Sequence, residues 1–305
     1  MARRSHLRRS RSRNAAWIGA VVVVVLIVVV AILVVVALDR ARPAPTNETL
    51  APVPTFGPAT PEPSATPTPT AAPITAVPRA DERFLSISSE GILWRGIAGS
   101  CADESTPLIE RSADGGTTWN DVTPLYRGLA QIMRLDAFAG TQAQAVAVLE
   151  DGCVTDGLRT FTQGRFWESY EEVLAESAYI AGDDPAQIVT PDGAIAAPCA
   201  EARGLRGSGS NLALVCDAQA FALVGDEWQP LGVEGAVAVA TDGSTIIVAH
   251  AAADCDGIAL STIEGGSAAF SACVEGLNPT EPTTIEISDA SVLVWSGTTY
   301  TDVSI

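Results

Sequence analysis

The chain has 305 residues with 36 acidic and 18 basic side chains, a formal net charge of −18, and every basic residue is an arginine. The charge is divided: residues 1–42 hold eight arginines and one acid, Asp39, whereas residues 81–305 hold nine arginines against 33 acids. An acidic part of this size argues against nucleic-acid binding, which needs a basic footprint, and against adsorption to an anionic membrane surface.

Residues 1–16 form a basic tail, with six arginines among the first thirteen positions. His6 lies in it and is assigned no role. Residues 17–38 follow as 22 positions without a charge, eleven of them valine. About 20 apolar residues span the hydrocarbon core, and in lipid a helix is the way for a single segment to satisfy its own backbone. The arginines before it place the N-terminus in the cytoplasm and the C-terminal part outside, as a single-pass signal-anchor protein of the cell membrane. A cleaved signal peptide is the rival, but its apolar region is shorter and ends at small residues, whereas this one ends in Leu38-Asp39-Arg40.

Residues 39–80 are dominated by proline and threonine. Such a stretch has too few large apolar side chains to pack a core, and proline removes backbone donors. At about 3.1 Å per residue, roughly 40 residues of extended chain reach on the order of 100 Å. That is the length of a spacer carrying a domain away from a membrane. The Asn47-Glu48-Thr49 sequon and the Thr-Pro tracts are weak glycosylation signals.

Residues 81–305 show no sustained helical period; only 168–177 has the makings of a helical turn. Short strand-like runs dominate, at 84–88, 92–98, 144–149, 211–216, 220–224, 236–240, 245–250, 258–262, 284–288 and 291–295. Among them stand six Asp-Gly pairs, beginning at Asp114, Asp151, Asp156, Asp192, Asp242 and Asp256. Many short strands with regular turn signals predict an all-β fold: sandwich, barrel or propeller.

One stretch favours the propeller. Residues 112–119 read SADGGTTW, with Ser112, Asp114, Gly116, Thr118 and Trp119 in a Ser-x-Asp-x-Gly-x-Thr-Trp pattern. The octamer resembles the Asp-box (BNR) repeat of sialidases, sortilin-type receptors and photosystem II assembly factors. Fainter copies end at Trp167 (from Arg159), Trp228 (from Phe221) and Phe270 (from Thr262), so the aromatic anchors are spaced by 48, 61 and 42 residues. Propeller repeats run to about 40–50 residues with four strands per blade. The expectation is about five four-stranded blades over 81–305, the fifth completed by the chain just before Phe84 so that no sheet edge is left open. A sixth blade follows only if the insertion at 182–199 holds strands of its own. A flat sandwich is the competing arrangement.

The resemblance implies that the octamer is structural: a polar side chain bonding back to the turn, glycine supplying a positive φ, and an aromatic ring packed beneath, all at the blade periphery. It also sets a condition for sialidase-like hydrolysis, namely three arginines on one rim with a tyrosine nucleophile and its glutamate. The Phe-Arg-Ile-Pro-type motif of that family is absent. His250, Asp254 and Asp256 lie close in sequence but make neither a zinc set nor a calcium loop. No catalytic, metal or cofactor residues are assigned, and no cofactor is expected.

The six cysteines, Cys101, Cys153, Cys199, Cys216, Cys255 and Cys273, all lie beyond the apolar segment. An even number on one side of a membrane segment reads as disulfides in an oxidising compartment. Fifteen connectivities are open. Placement beside the predicted second strands favours Cys101–Cys153, Cys199–Cys216 and Cys255–Cys273. The functional expectation is a non-enzymatic binding or assembly module for a cell-envelope protein or glycan. The alternatives are a sialidase-like hydrolase and a purely structural envelope protein.

Overall fold

Six antiparallel sheets, each a meander in sequence order, follow one another along the chain of the computed structural model, which describes residues 77–208 and 211–305. Blade one comprises β1 (Arg83–Ile87), β2 (Leu93–Ile97), β3 (Leu108–Ser112) and β4 (Asn120–Asp121). Blade two comprises β5 (Leu129–Ala139), β6 (Gln142–Leu149), β7 (Val154–Thr160) and β8 (Glu168–Ser169), and is followed by the short helix α1 (Glu171–Glu176). Blade three has only three short strands, β9 (Tyr179–Ile180), β10 (Gln187–Thr190) and β11 (Gly193–Ala196). Blade four comprises β12 (Arg203–Ser208), β13 (Asn211–Cys216), β14 (Gln219–Val224) and β15 (Glu227–Glu234). Blade five comprises β16 (Ala236–Thr241), β17 (Ile246–His250), β18 (Gly257–Glu264) and β19 (Ser267–Glu275). Blade six comprises β20 (Thr283–Ser288), β21 (Ser291–Ser296) and β22 (Thr299–Ser304).

The first strand of each blade is innermost. β5 packs between β1 and β9, β12 between β9 and β16, and β20 between β16 and β1, so the blades close into a ring. This is a six-bladed β-propeller, not a sandwich. It also corrects the expected count of five. The 182–199 insertion is most of a blade, with β10 and β11 inside it.

The physical reason for the ring lies in the second strands. β13 (NLALVC), β17 (IIVAH) and β21 (SVLVWS) are apolar on both faces and almost wholly buried. A sheet apolar on both faces must be covered on both. A ring of sheets does this without further layers. Six hydrophobic clusters result, one at each joint between neighbouring blades. At the joint of blades one and two, Trp94 and Trp167 are fully buried and meet edge to face at 6.0 Å.

Ring closure differs from the expectation. The described residues before Phe84, 77–83, do not complete the last blade. Their carbonyls at Glu82 and Ala80 instead accept Ala98 N–H at 2.8 Å and Gly99 N–H at 2.9 Å, within blade one. Among the described residues β22 has no outer neighbour strand. Blades six and one are joined by side chains instead. Leu85, Leu93, Leu293 and Trp295 form the core of that joint, flanked by Trp119 and Tyr300. The Arg83 guanidinium lies 4.0 Å from the Trp295 ring centre, and that of Arg95 lies 4.6 Å from it.

The basic tail at 1–16, the apolar segment at 17–38 and nearly all of the 39–80 linker lie outside the described residues. Among the described residues no helix is long and apolar enough to cross a membrane.

Candidate functional site

The 112–119 octamer forms the turn between β3 and β4, on the outer part of blade one. Ser112 is fully buried, and its Oγ accepts Gly116 N–H at 2.9 Å. Asp114 accepts Thr118 N–H at 2.9 Å and the Thr118 hydroxyl at 2.5 Å, and Trp119 Nε1–H donates to Gly116 O at 3.0 Å. The Thr118 hydroxyl is the main cause that holds the Asp114 carboxyl at about 2, helped by the Thr118 N–H and Ser112. Every one of these groups is occupied with its own turn, and none lines an axial cavity.

The same pattern recurs 48 residues later in blade two. Thr160 Oγ1 accepts Gly164 N–H at 3.1 Å, as Ser112 does for Gly116, and Thr162 Oγ1 accepts Phe166 N–H at 2.9 Å, as Asp114 does for Thr118. Trp167 Nε1–H then reaches Val122 O of the preceding blade at 3.3 Å, and Trp228 Nε1–H reaches Ala196 O of blade three at 3.0 Å. The anchors therefore lie at blade joints. Phe270 does not: it is 61% exposed in the outermost strand of blade five, has no ring donor, and packs beneath no turn.

The convergent chemistry lies on the propeller axis, in two cavities. The first, of about 310 Å³, opens at the N-terminal ends of the inner strands. Arg83, Arg203 and Arg206 line it with four acids, Glu82, Glu201, Asp217 and Glu281, against an apolar wall that includes Val237 and Val239. The segment before β1 edges its mouth: Arg203 donates to Val77 O, and Gly204 N–H donates to the Glu82 carboxylate at 2.7 Å. Arg203 also faces Glu201 at 3.5 Å.

Arg206 separates this cavity from the second and lines both. Its Nη2 donates to Thr284 Oγ1 at 2.6 Å and to Arg83 O at 3.2 Å. Burial is the main reason that the Arg206 and Arg83 guanidinium groups are held below the usual arginine range. The group on the other side of Arg206 behaves in the opposite way. Burial pushes the Glu286 carboxyl up to about 7, opposed by Arg206 and Arg134 and reinforced by Asp136.

All three disulfides lie on the face where the first cavity opens. Cys101–Cys153 ties the loop after β2 to the loop after β6, Cys199–Cys216 ties the chain before β12 to the end of β13, and Cys255–Cys273 ties the loop after β17 to the end of β19. These are the pairs that strand placement favoured. Of the three, Cys199–Cys216 adjoins the cavity, beside its lining residues Val215 and Asp217.

His250 lies away from both cavities. Its Nε2 is 2.9 Å from Ser261 Oγ and its Nδ1 is 3.3 Å from Ala251 O, and burial is the main cause lowering its pKa. Neither Asp254 nor Asp256 joins it in a metal site: among the described residues no group of three or more His, Cys, Asp or Glu side chains is arranged to hold an ion.

The axial residues were not singled out from the sequence, although a signal was present. Arg134 and Asp136 in β5, Arg206 in β12 and Glu286 in β20 each put a charge into an innermost strand. A charge there is flanked by blades on both sides and has only the axis to face.

No family model matches the sequence, and no curated protein matches it. Among solved structures, a mutant of the Aleuria aurantia lectin AAL in complex with Fucα1-6GlcNAc is similar, at 9% identity over 71% of this chain and 88% of that one, with a TM-score of 0.44. The PQQ-bound aldose sugar dehydrogenase of Streptomyces coelicolor is similar at 11% identity over 74% and 91%, TM-score 0.44. YCF48 of Cyanidioschyzon merolae is similar at 13% identity over 72% and 65%, TM-score 0.26.

Proposed function

We propose that this protein is a single-pass, membrane-anchored binding or assembly module, which presents its propeller outside the cell and engages a carboxylate-bearing cell-envelope glycan or protein at the first axial cavity. The observation that carries this reading is the gathering of Arg83, Arg203 and Arg206 in one cavity of an otherwise acidic domain. A concave site with an apolar wall and a few convergent polar groups is the usual form of a ligand pocket. Arginine offers paired donors that match a carboxylate. The Cys199–Cys216 disulfide holds the chain beside the cavity in place, which lowers the ordering cost of binding. The three disulfides also agree with an oxidising compartment on the far side of the 17–38 segment. We read the 112–119 turn and its blade-two counterpart as Asp-box-type structural repeats.

A sialidase-like hydrolase is the second reading, favoured by those same three arginines. It also needs a tyrosine nucleophile, and no tyrosine lines either axial cavity. The test is titration of detergent-solubilised full-length protein with uronate- and sialate-containing glycans and with acidic peptides. Saturable binding, weakened at least tenfold in Arg203→Ala, is the expected result. Equal binding by wild type and variant overturns the site, and turnover of a glycoside overturns the non-enzymatic role.

A further inference from the structure

The second axial cavity, of about 230 Å³, lies at the C-terminal ends of the inner strands. We propose that it is a binding site for a small organic cation, with the Glu286 carboxylate as the counter-ion of a primary ammonium group. This site is separate from the one proposed above, and neither depends on the other.

Five charged side chains line the cavity: Arg134, Asp136, Arg206, Asp242 and Glu286. Four are committed to other groups. Arg134 Nε donates to Asp136 Oδ2 at 2.5 Å, and its Nη1 donates to the carbonyls of Ala178 and Gly207 at 2.9 Å each. That pair is neutral and tied to the backbone. Asp242 caps its own turn, accepting the N–H groups of Ser244 and Thr245 at 2.8 Å. Arg206 donates to Leu205 O, Arg83 O and Thr284 Oγ1.

Glu286 is the exception. It is half-buried and lines the cavity, and no hydrogen bond among the described residues reaches its carboxylate. None of the ion pairs among the described residues includes it. A carboxylate held in a confined cavity without a hydrogen-bonded partner is matched by a charged donor. With Glu286 ionised, the two arginines face three carboxylates, and of these only Glu286 lacks a hydrogen-bond donor among the described residues. Phe84 and Leu205 supply an apolar wall for a short hydrocarbon chain. The volume is below that of most drug-sized pockets, so the ligand is small. A metal ion is disfavoured, because among the described residues the acids do not converge as a ligand set.

The test is calorimetric titration of the detergent-solubilised full chain with n-butylammonium chloride near neutral pH, in two buffers of different ionisation enthalpy. The expected result is saturable one-to-one binding with release of protons, because the Glu286 carboxyl is held at about 7 before binding and driven to its ionised form by the ammonium. Glu286→Gln is expected to weaken binding at least tenfold and to abolish the proton release. Non-saturable binding, wild-type affinity in Glu286→Gln, or equal binding of butyrate overturns the proposal. If the variant fails to fold, the wild-type protein decides alone: equal binding of n-butylammonium and butyrate overturns it.

Discussion

Gly116, in the turn of blade one, lies against the ring of Tyr300 in β22 of blade six, so closely that a Cβ at position 116 would overlap Cε1. The backbone there has a φ of +88°, in the left-handed region. Gly164 repeats the relationship one blade on: its φ is +84°, and a Cβ would fall 2.5 Å from Cβ of Val122 in blade one. Each turn thus seals the joint with the blade before it. Gly116→Ala meets both the strained φ and the clash, and is expected to cost more than about 1 kcal/mol. Tyr300→Leu in the same chain is expected to recover part of that loss. Thermal melts of the two single variants and the double variant check this, and strict additivity would count against contact between them.

The joint between blades six and one depends on Trp295. Its ring is 3% exposed and has Arg83 and Arg95 within 4.6 Å of its centre. Trp295→Ala is expected to cost about 3–5 kcal/mol. Arg95 also lies 4.0 Å from the Trp119 ring centre and 2.7 Å from Glu110. Arg95→Met keeps most of the packing and loses the charge, for an expected cost of about 1–2 kcal/mol. Denaturant melts measure both.

The disulfides are expected to contribute unequally. Cys101–Cys153 spans 52 residues, whereas the other two span 17 and 18. On chain entropy alone the long loop is worth about 4 kcal/mol and each short one about 3 kcal/mol. Cysteine-to-serine pairs, melted under non-reducing conditions, test the order. Peptide mapping without reductant tests the pairing.

Glu286 sets a pH dependence. Its folded-state value of about 7 lies above the ordinary 4.5, so the folded protein holds this proton more tightly than the unfolded chain. The resulting stability is complete below about pH 4.5 and lost as pH rises through about 7, a swing on the order of 3 kcal/mol. Glu286→Gln removes this dependence. Its melting temperature is expected to exceed that of the wild type at pH 8, and the difference to shrink by pH 5.

Asp114 works in the opposite direction. Its carboxyl is held at about 2, below the ordinary 3.8, so the stability it confers is present above about pH 4 and lost as pH falls toward 2. Asp114→Asn is expected to lower the melting temperature at pH 7 and to narrow the gap from wild type at pH 2–3. A pH series of melts reads this directly.

Blade three shows why part of the fold was hidden. β9 has two residues, and β11 (GAIA) has one that is not exposed. Its contribution to the core rests on residues such as Ile180 and Ile188. With so little apolar alternation and no aromatic anchor of its own, the segment reads as an insertion. That no strand among the described residues lies outside β22 was illegible for a different reason. Whether the chain before β1 pairs with β2 or crosses to β22 is a choice between two edges, and either choice agrees with the same local sequence.

What the sequence determined by itself is local. Turn hydrogen bonds span four residues, strand character follows from alternation and apolar runs, and the blade period could be read from Trp119 and Trp167 because each lies close to its own turn. Cysteines placed beside the second strands brought the disulfide pairs within reach for the same reason. The tertiary structure alone decided the number of blades, the way the ring closes and the chemistry of the axis. Arg206 meets Thr284 across 78 positions and Arg134 meets Gly207 across 73. Such contacts depend on where six sheets come to rest around one axis, and no local pattern of turns or strands encodes that position.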